Sequence, residues 1–216
     1  VVTVVEVARD VAVAAGDGLL VVKAGITWYA IARTGVGVPP APEPDEQPDP
    51  PPSVPQRGRL VVPAVETRSY RDGKWRTDTD DVYQGQYGGN GNHTGCAFYG
   101  SRARSLDGAT VTRAQLRIRR PDRGGANAAQ ALTLRLVTQS RRPSGAVTLG
   151  ASTAGPSLRR GQTDSSFTIP DAWGQEIVNG TAGGVAAFDG SGSPYVILSG
   201  RSDWSAAFTL TIDWER

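Results

Sequence analysis

The stretch "FTLTIDWE", residues 208–215, carries the pattern that decides the fold of most of this 216-residue chain. Its apolar residues Phe208, Leu210, Ile212 and Trp214 alternate with threonine and acidic residues. A period of two places the apolar side chains on one face of an extended strand and the polar ones on the other. The stretch therefore predicts a half-buried antiparallel strand with one face on a core and the other in water.

The same alternation recurs upstream, in residues 112–119 and 132–137. Further candidate strands are residues 60–70, 95–99, 167–169, 184–188 and 195–198. Glycine- and proline-containing turn signals separate the strands, as in residues 121–125, 142–145 and 189–192. Many short strands joined by turns are typical of an all-β protein, and they predict an antiparallel β-sandwich or jelly roll.

One short helix is predicted within this pattern, in "IPDAWGQEIVNGT", residues 169–181. Asp171 suits a helix start, where its carboxylate can accept hydrogen bonds from free backbone N–H groups. Trp173 and Ile177 lie four residues apart on one face, and Gly180 suits the left-handed residue that follows a helix. A helix this short is not stable alone, so we expect it to close one end of the sandwich through Trp173.

Residues 38–56, "VPPAPEPDEQPDPPPSVPQ", hold nine of the chain's 15 prolines and divide it unequally. Proline at this density favours polyproline II at roughly 3.1 Å per residue, which gives a reach on the order of 50–60 Å. The predicted organisation is a small β-rich anchor segment (residues 1–37), a stiff linker (residues 38–57) and a β-sandwich domain (residues 58–216). A linker without further function is an open alternative.

The N-terminal segment is predicted to be a small sheet that cannot fold on its own. Strand-like patterns occupy residues 1–7, 18–22 and 26–32. Two or three such strands are marginally stable in water, and they would expose Trp28 and Tyr29. We expect another copy of the chain or another protein to cover these two side chains, which are therefore the candidate assembly anchor.

Composition argues against several classes of protein. The formal net charge of +2 is too small to recruit nucleic acid by a general field. Cys96 is the only cysteine, which excludes an intrachain disulfide framework. No apolar run approaches the ~18 residues of a membrane span, and no signal peptide is recognisable. We expect neither nucleic-acid binding nor membrane insertion, while a leader removed before Val1 is an open alternative.

The sequence offers no strong catalytic or metal-binding constellation. His93 is the only histidine, and with Cys96 it lacks the further cysteine or histidine ligands that zinc requires. No glycine-flanked serine precedes a helix as a nucleophile elbow would. The "DTDD" of residues 78–81 has carboxylates for calcium or for glycoside hydrolysis, but a solvated turn paired with Arg71 or Arg76 is the favoured interpretation. We therefore expect no catalytic residue, no metal, no cofactor and no enzyme activity.

The densest polar-aromatic stretch is "SYRDGKWRTDTDDVYQGQYGGNGN", residues 69–92. Sugar recognition requires this mixture, because aromatic faces stack on the C–H groups of a sugar while polar side chains fix its hydroxyls. A second group lies in "GRSDWSAAF", residues 200–208. The candidate ligand-binding residues are Trp75, Asp78, Tyr83, Tyr87, Arg201 and Trp204. The alternative is that some of these rings belong to the core or to a subunit contact.

Four pieces of the sequence together resemble a known family. They are "NHTGCAFYG", "ATVTRAQLRIRR", "ALTLRLVTQSRRPSGA" and the stretch from "STAGPSLRRG" to "TLTIDW". In this order they are similar to the C-terminal β-domain of minor tail proteins from phages of actinobacteria, and more distantly to DNRLRE-type jelly rolls. The resemblance covers about residues 68–214. Its most specific part is a strand, "IPDAWGQEIVNGTAGG", "SPYVILSG" and a terminal strand, in that order.

The resemblance implies a virion component at or near the tail tip, assembled in the bacterial cytoplasm. The β-sandwich would then face the host surface, where we expect the polar-aromatic stretch to bind a cell-envelope glycan. Residues 1–57 lie outside the resemblance, and we expect the anchor segment, residues 1–37, to dock on other virion proteins. Several copies or a homo-oligomer are expected, and no catalytic residue is transferred. Two alternatives stay open: a carbohydrate-binding module of an actinobacterial surface or secreted protein, and a capsid-decorating head fibre.

Overall fold

The computed structural model describes residues 6–7, 18–25, 27–34 and 54–216. The chain divides into two compact units, Val1–Ser53 and Val54–Arg216. Most of the predicted linker, residues 38–53, lies outside the described residues, as do residues 1–5 and 26 of the predicted strands. Within the described ranges, no helix has the length and apolar character needed to cross a membrane.

The described part of the first unit is a three-stranded sheet. Its strands are β1 (Glu6–Val7), β2 (Gly18–Ala24) and β3 (Thr27–Thr34). The central strand β3 pairs with β2 in an antiparallel sense and with β1 in a parallel sense. Trp28 and Tyr29 on β3 are 36% and 39% exposed. The ammonium group of Lys23 lies 5.4 Å from the centre of the Trp28 ring.

The second unit is an antiparallel β-sandwich with one α-helix, which confirms the predicted fold class. The elements are β4 (Arg57–Val62), β5 (Glu66–Arg71), β6 (Lys74–Trp75), β7 (Val82–Gly85), β8 (His93–Phe98), a 3-10 helix (Arg102–Leu106), β9 (Thr110–Arg119), β10 (Gln130–Val137), β11 (Leu149–Leu158), β12 (Thr163–Ile169), α1 (Asp171–Asn179), β13 (Gly184–Ala187), β14 (Val196–Leu198) and β15 (Leu210–Glu215).

The two sheets differ in size. The larger follows the order β11-β10-β13-β8-β5-β6, and β7 joins it by pairing with both β8 and β14. The smaller follows the order β12-β9-β15-β4. Side chains from both sheets form one main core between them, because their alternating apolar residues face inward.

The stretch on which the fold prediction rests occupies the middle of the smaller sheet. β15 lies between β9 and β4, and its Leu210 and Ile212 are fully buried. The strand begins at Leu210 and not at Phe208, since Phe208 has a left-handed backbone with φ of 53°. The Phe208 side chain is nevertheless buried, and its carbonyl accepts a hydrogen bond from the Tyr99 hydroxyl at 3.0 Å.

One predicted strand is two strands in the structure. Residues 60–70 were expected to be continuous, but β4 ends at Val62 and β5 begins at Glu66. The break falls at Pro63, which cannot donate to a strand ladder. It has a structural consequence, because β4 belongs to the smaller sheet and β5 to the larger one. The first strand of this unit, β4, begins at Arg57, just before the predicted domain boundary at residue 58. Next to it, Gln56 and Arg216 exchange two backbone hydrogen bonds of 2.8 Å.

Helix α1 occupies the predicted residues, Asp171–Asn179, and ends at Gly180 in the left-handed conformation. Trp173 faces the main core, as its spacing predicted. The predicted capping role of Asp171 is wrong, because its side chain makes no cap hydrogen bond to the helix. Its carboxylate instead accepts the backbone N–H of Ala114 at 3.1 Å, which ties the helix to β9.

Candidate functional site

Trp75 lies in a small second core on the outer face of the larger sheet. The buried members of this core are Trp75, Cys96, Phe98, Val137 and Ala186. Trp75 is only 9% exposed, and its indole N–H donates to the carbonyls of Pro143 at 2.8 Å and Gly145 at 3.1 Å. This placement corrects the expectation of a sugar-stacking ring at Trp75, because the residues around Pro143 cover the sheet here and use the ring for packing.

Four rings form a separate group, which we call the tyrosine cluster: Tyr83, Tyr87, His93 and Tyr195. Tyr83 stacks on His93 with ring centroids 5.2 Å apart, and Tyr195 lies 6.1 Å from Tyr83. Tyr87 is the outermost ring, 5.0 Å from Tyr195 and tilted by 33°. Tyr83 is buried, whereas Tyr87 is 63% exposed. The cluster therefore presents one open aromatic face on a base of packed rings.

Strand pairing explains why these rings meet. β14 pairs with β7 so that Ile197 lies opposite Tyr83, which brings Tyr195 to the same end of the sheet. On the other side of β7, Gly85 lies opposite His93 of β8. Gly85 has φ of 84°, and a side chain there would collide with the carbonyl of Pro194. Glycine is therefore required for the close approach of these strands.

The loop that carries Tyr87 is tied at two points. The Asn90 side chain donates to the carbonyl of Tyr87 at 3.0 Å. The backbone N–H of Gly91 donates to the carboxylate of Asp72, also at 3.0 Å, which connects this loop to the turn between β5 and β6. These contacts hold the Tyr87 backbone in one position although its side chain is exposed.

Two arginine–aspartate pairs border the tyrosine cluster. The Arg76 guanidinium lies 4.5 Å from the centre of the Tyr83 ring and donates to both carboxylate oxygens of Asp78, at 3.1 and 2.5 Å. This pairing holds the pKa of Asp78 at about 2. Arg71 contacts Asp72 at 3.0 Å. The exposed Asp78 thus has the salt bridge to Arg76 that was predicted for "DTDD". The prediction of a solvated turn is wrong for Asp81 of the same motif, which is buried and is paired with Arg123.

The His93 ring is buried inside the cluster. Its Nδ1 lies 2.9 Å from the Gly85 carbonyl, an arrangement in which Nδ1 carries the proton and donates it. Its Nε2 then accepts from Arg71, whose Nη1 is 3.4 Å away. Burial lowers the pKa of His93, and the positive charge of Arg71 lowers it further. Because both ring nitrogens face protein groups, the cluster offers ring faces and hydrogen-bonding groups rather than a proton-transfer pair.

We expect the free energy of unfolding to fall as the pH decreases from 7.5 to 5.5, and His93→Gln to flatten this dependence. The folded-state pKa of His93 lies below its unfolded value of about 6.5, so the unfolded chain binds the proton first as the pH falls. The ordinary pKa values of aspartate and glutamate, about 4, lie below this window. Urea titrations followed by circular dichroism at the two pH values measure the change. An equal pH dependence in both proteins would contradict the assignment.

The remaining candidates, Arg201 and Trp204, flank Ser202 and Asp203 in the sequence, and these two residues line a cleft of about 450 Å³. Arg123 crosses it, donating to both oxygens of the buried Asp81 at 2.9 and 3.0 Å and to Asp203 at 3.0 Å. Arg201 donates its backbone N–H to Thr67 at 3.0 Å. Trp204 is partly buried and packs against the main core. The hydrogen bonds and packing contacts of these residues mainly connect loops of the fold to one another.

A cleft of about 570 Å³ lies beside the tyrosine cluster, and we call it the basic cleft. Its lining residues are Arg71, Lys74, Trp75, Arg76, Thr77 and Asp78. Arg71 and Arg76 line the cleft and also contact His93 and Tyr83 of the cluster. Lys74 is exposed, and within residues 54–216 no carboxylate lies within salt-bridge distance of its ammonium group.

The structure therefore brings together Tyr83, Tyr87 and Asp78 of the predicted ligand-binding residues. It adds Tyr195, which the sequence did not predict. In the part of the chain that the structure describes, no three His, Cys, Asp or Glu side chains are grouped to hold a metal ion. Comparison of the chain with protein-family models found no match, and a search of curated proteins also found none.

Proposed function

We propose that this chain is a structural protein of a phage virion, a minor tail or tail-tip component, whose β-sandwich binds a glycan of the host envelope through the tyrosine cluster. The observation that carries the binding proposal is the position of Tyr87. Its ring is 63% exposed, yet it contacts Tyr195 at 5.0 Å and its loop is tied to the sheet.

An exposed ring held in this way is suited to a sugar. Stacking on the C–H face of a sugar buries apolar surface of both partners, and nearby polar groups can bind the hydroxyls. Because neighbouring rings and loop contacts already restrict Tyr87, binding costs little additional conformational entropy. Gln86 precedes Tyr87 and is exposed, so an amide group is available beside the ring.

Three features support the virion part of the proposal. The order of sequence pieces resembles the C-terminal domain of minor tail proteins. The proline-rich residues 38–56 suit a stiff spacer between an attached end and a distal domain. The first unit exposes Trp28 and Tyr29 on a three-stranded sheet, which suits docking on a virion protein. Several copies in one particle would compensate for a weak site by raising the effective concentration.

The tyrosine cluster is equally suited to a carbohydrate-binding module of an actinobacterial surface or secreted protein, which is our second candidate. The two candidates differ in the role of residues 1–37: a virion anchor needs an assembly partner, whereas a module needs only a linker. Labelling purified phage particles with antibody against this chain separates the candidates. Label at the tail supports the first, label on the capsid indicates a head fibre, and particles without label favour the module.

We expect Tyr87→Ala to reduce retention of the full chain on host cell walls by at least about tenfold, since truncation of a central tyrosine at a binding site typically has an effect of this size. A cell-wall pull-down over a range of protein concentrations measures it. Val61→Ala is the matched control, because Val61 is an exposed apolar side chain of β4 in the same unit and lies outside the tyrosine cluster. Thermal unfolding should be similar for all three proteins. Equal retention of wild type and Tyr87→Ala would refute glycan binding at this cluster.

A further inference from the structure

We infer that the glycan carries an acidic group, a carboxylate or a phosphate, and that the basic cleft binds this group while the sugar stacks on Tyr87. The inference rests on the proposed function and specifies its ligand. It depends on the charged side chains of the cleft, which are different residues from the aromatic rings that would bind the sugar.

Positive charge dominates the lining of the basic cleft. Arg71, Lys74 and Arg76 contribute three cations, and Asp78 contributes the one carboxylate. Asp78 is already bound by both the Nε and Nη2 groups of Arg76. Arg71 is also paired, with Asp72, which lies outside the cleft. After both arginine pairs are counted, the positive charge of Lys74 still has no partner among residues 54–216.

The arginines have donor groups left for a ligand. Arg76 uses Nε and Nη2 on Asp78, which leaves Nη1 free of hydrogen bonds within the described residues. Arg71 uses Nε on Asp72 and Nη1 toward His93, which leaves its Nη2. Together with the Lys74 ammonium, these groups offer the charged donors that bind carboxylate and phosphate oxygens well. The carboxylate of Asp78 would instead repel an anion, and Arg76 neutralises it.

The basic cleft adjoins the tyrosine cluster through its two arginines. Arg76 lies 4.5 Å from the Tyr83 ring, and Arg71 lies 3.4 Å from His93, so both arginines contact the tyrosine cluster while they line the cleft. The cleft, at about 570 Å³, has the size of a small-ligand site. An oligosaccharide that stacks on Tyr87 can therefore place an acidic substituent among the three cations.

The test uses the full chain and cell walls in four forms: native, stripped of phosphodiesters with hydrofluoric acid, amidated at their carboxyl groups, and treated in both ways. Lys74→Gln should lower the affinity for native walls about tenfold, because a hydrogen bond to a charged group contributes a factor of this order. Lys74→Arg should retain binding. Arg117→Gln is the matched control, because it removes one exposed positive charge from β9 of the same unit, outside the basic cleft.

We expect one of the single treatments to reduce wild-type binding as Lys74→Gln does, and this treatment identifies the group as phosphate or carboxylate. Wild-type binding to doubly treated walls at native strength, or equal binding by wild type and Lys74→Gln, would overturn the acidic ligand while leaving Tyr87-dependent glycan binding intact. If native walls do not bind at all, the proposed function itself fails. The two failures are therefore distinguishable.

Discussion

Trp173→Ala is expected to lower the free energy of unfolding of the β-sandwich unit by about 3–5 kcal/mol, the range typical of truncating a buried tryptophan. Trp173 is 3% exposed and belongs to the main core. The helix that carries it fits closely against β9, because a side chain at Gly174 would lie 2.9 Å from Ala114. Neighbouring groups cannot move far to fill the space, so a cavity remains.

Urea unfolding of the full chain, followed by far-ultraviolet circular dichroism, measures this loss. Glu176→Ala is the matched control, since Glu176 lies on the same helix with its side chain in solvent. We expect that variant to change the free energy of unfolding by less than about 0.5 kcal/mol, as exposed substitutions do. A loss in Trp173→Ala as small as that of the control would show that α1 does not seal the core.

Periodicity predicted the fold because the core of this unit is made by alternation. β10, β15 and the part of β9 from Ala114 onward place alternate side chains inside, and each was visible as an apolar–polar repeat. β11 was missed since it contains Gly150, Gly155 and Pro156, which weaken strand propensity. It is an edge strand that pairs only with β10 in the larger sheet, and this position tolerates proline.

The site was less predictable because its rings meet through pairing of distant segments. Tyr195 reaches Tyr83 only because β14 pairs with β7, and these strands are separated by more than half of the second unit. Trp75 has the local surroundings of a surface aromatic, among charged residues. Its burial depends on the loop at Pro143, about 70 residues away, which accepts its indole N–H. No local pattern in the sequence contains either relation.

Arg120→Ala is expected to destabilise the second unit by about 3–5 kcal/mol, since it would leave several buried carbonyls without a donor and create a cavity. The Arg120 side chain is fully buried. Its Nη1 donates to the carbonyls of Ala128 at 2.9 Å and Leu158 at 2.8 Å, and its Nη2 donates to that of Ala126. Burial lowers the pKa of Arg120, and the nearby Arg160 lowers it further.

Two further variants distinguish the contributions of Arg120. Arg117→Ala, at an exposed arginine of β9, is the matched control and should change the free energy of unfolding by less than about 0.5 kcal/mol. Arg120→Met fills most of the volume but supplies no donor, so it should recover the cavity part of the loss and keep the hydrogen-bond part. Urea unfolding of all three variants measures the difference. If Arg120→Met is as stable as wild type, the carbonyl contacts contribute nothing.

Arg120 also connects stability with the binding surface. Two of the three carbonyls that it holds, those of Ala126 and Ala128, belong to the turn after β9. Gly125 in this turn lies against the carbonyl of Tyr195, where a side chain would be at 3.2 Å. We expect the loss of Arg120 to loosen this turn. The turn supports Tyr195, whose ring contacts Tyr87. We therefore expect Arg120→Met to weaken wall binding under conditions in which it is fully folded, whereas Trp173→Ala should weaken binding only as far as it unfolds the unit.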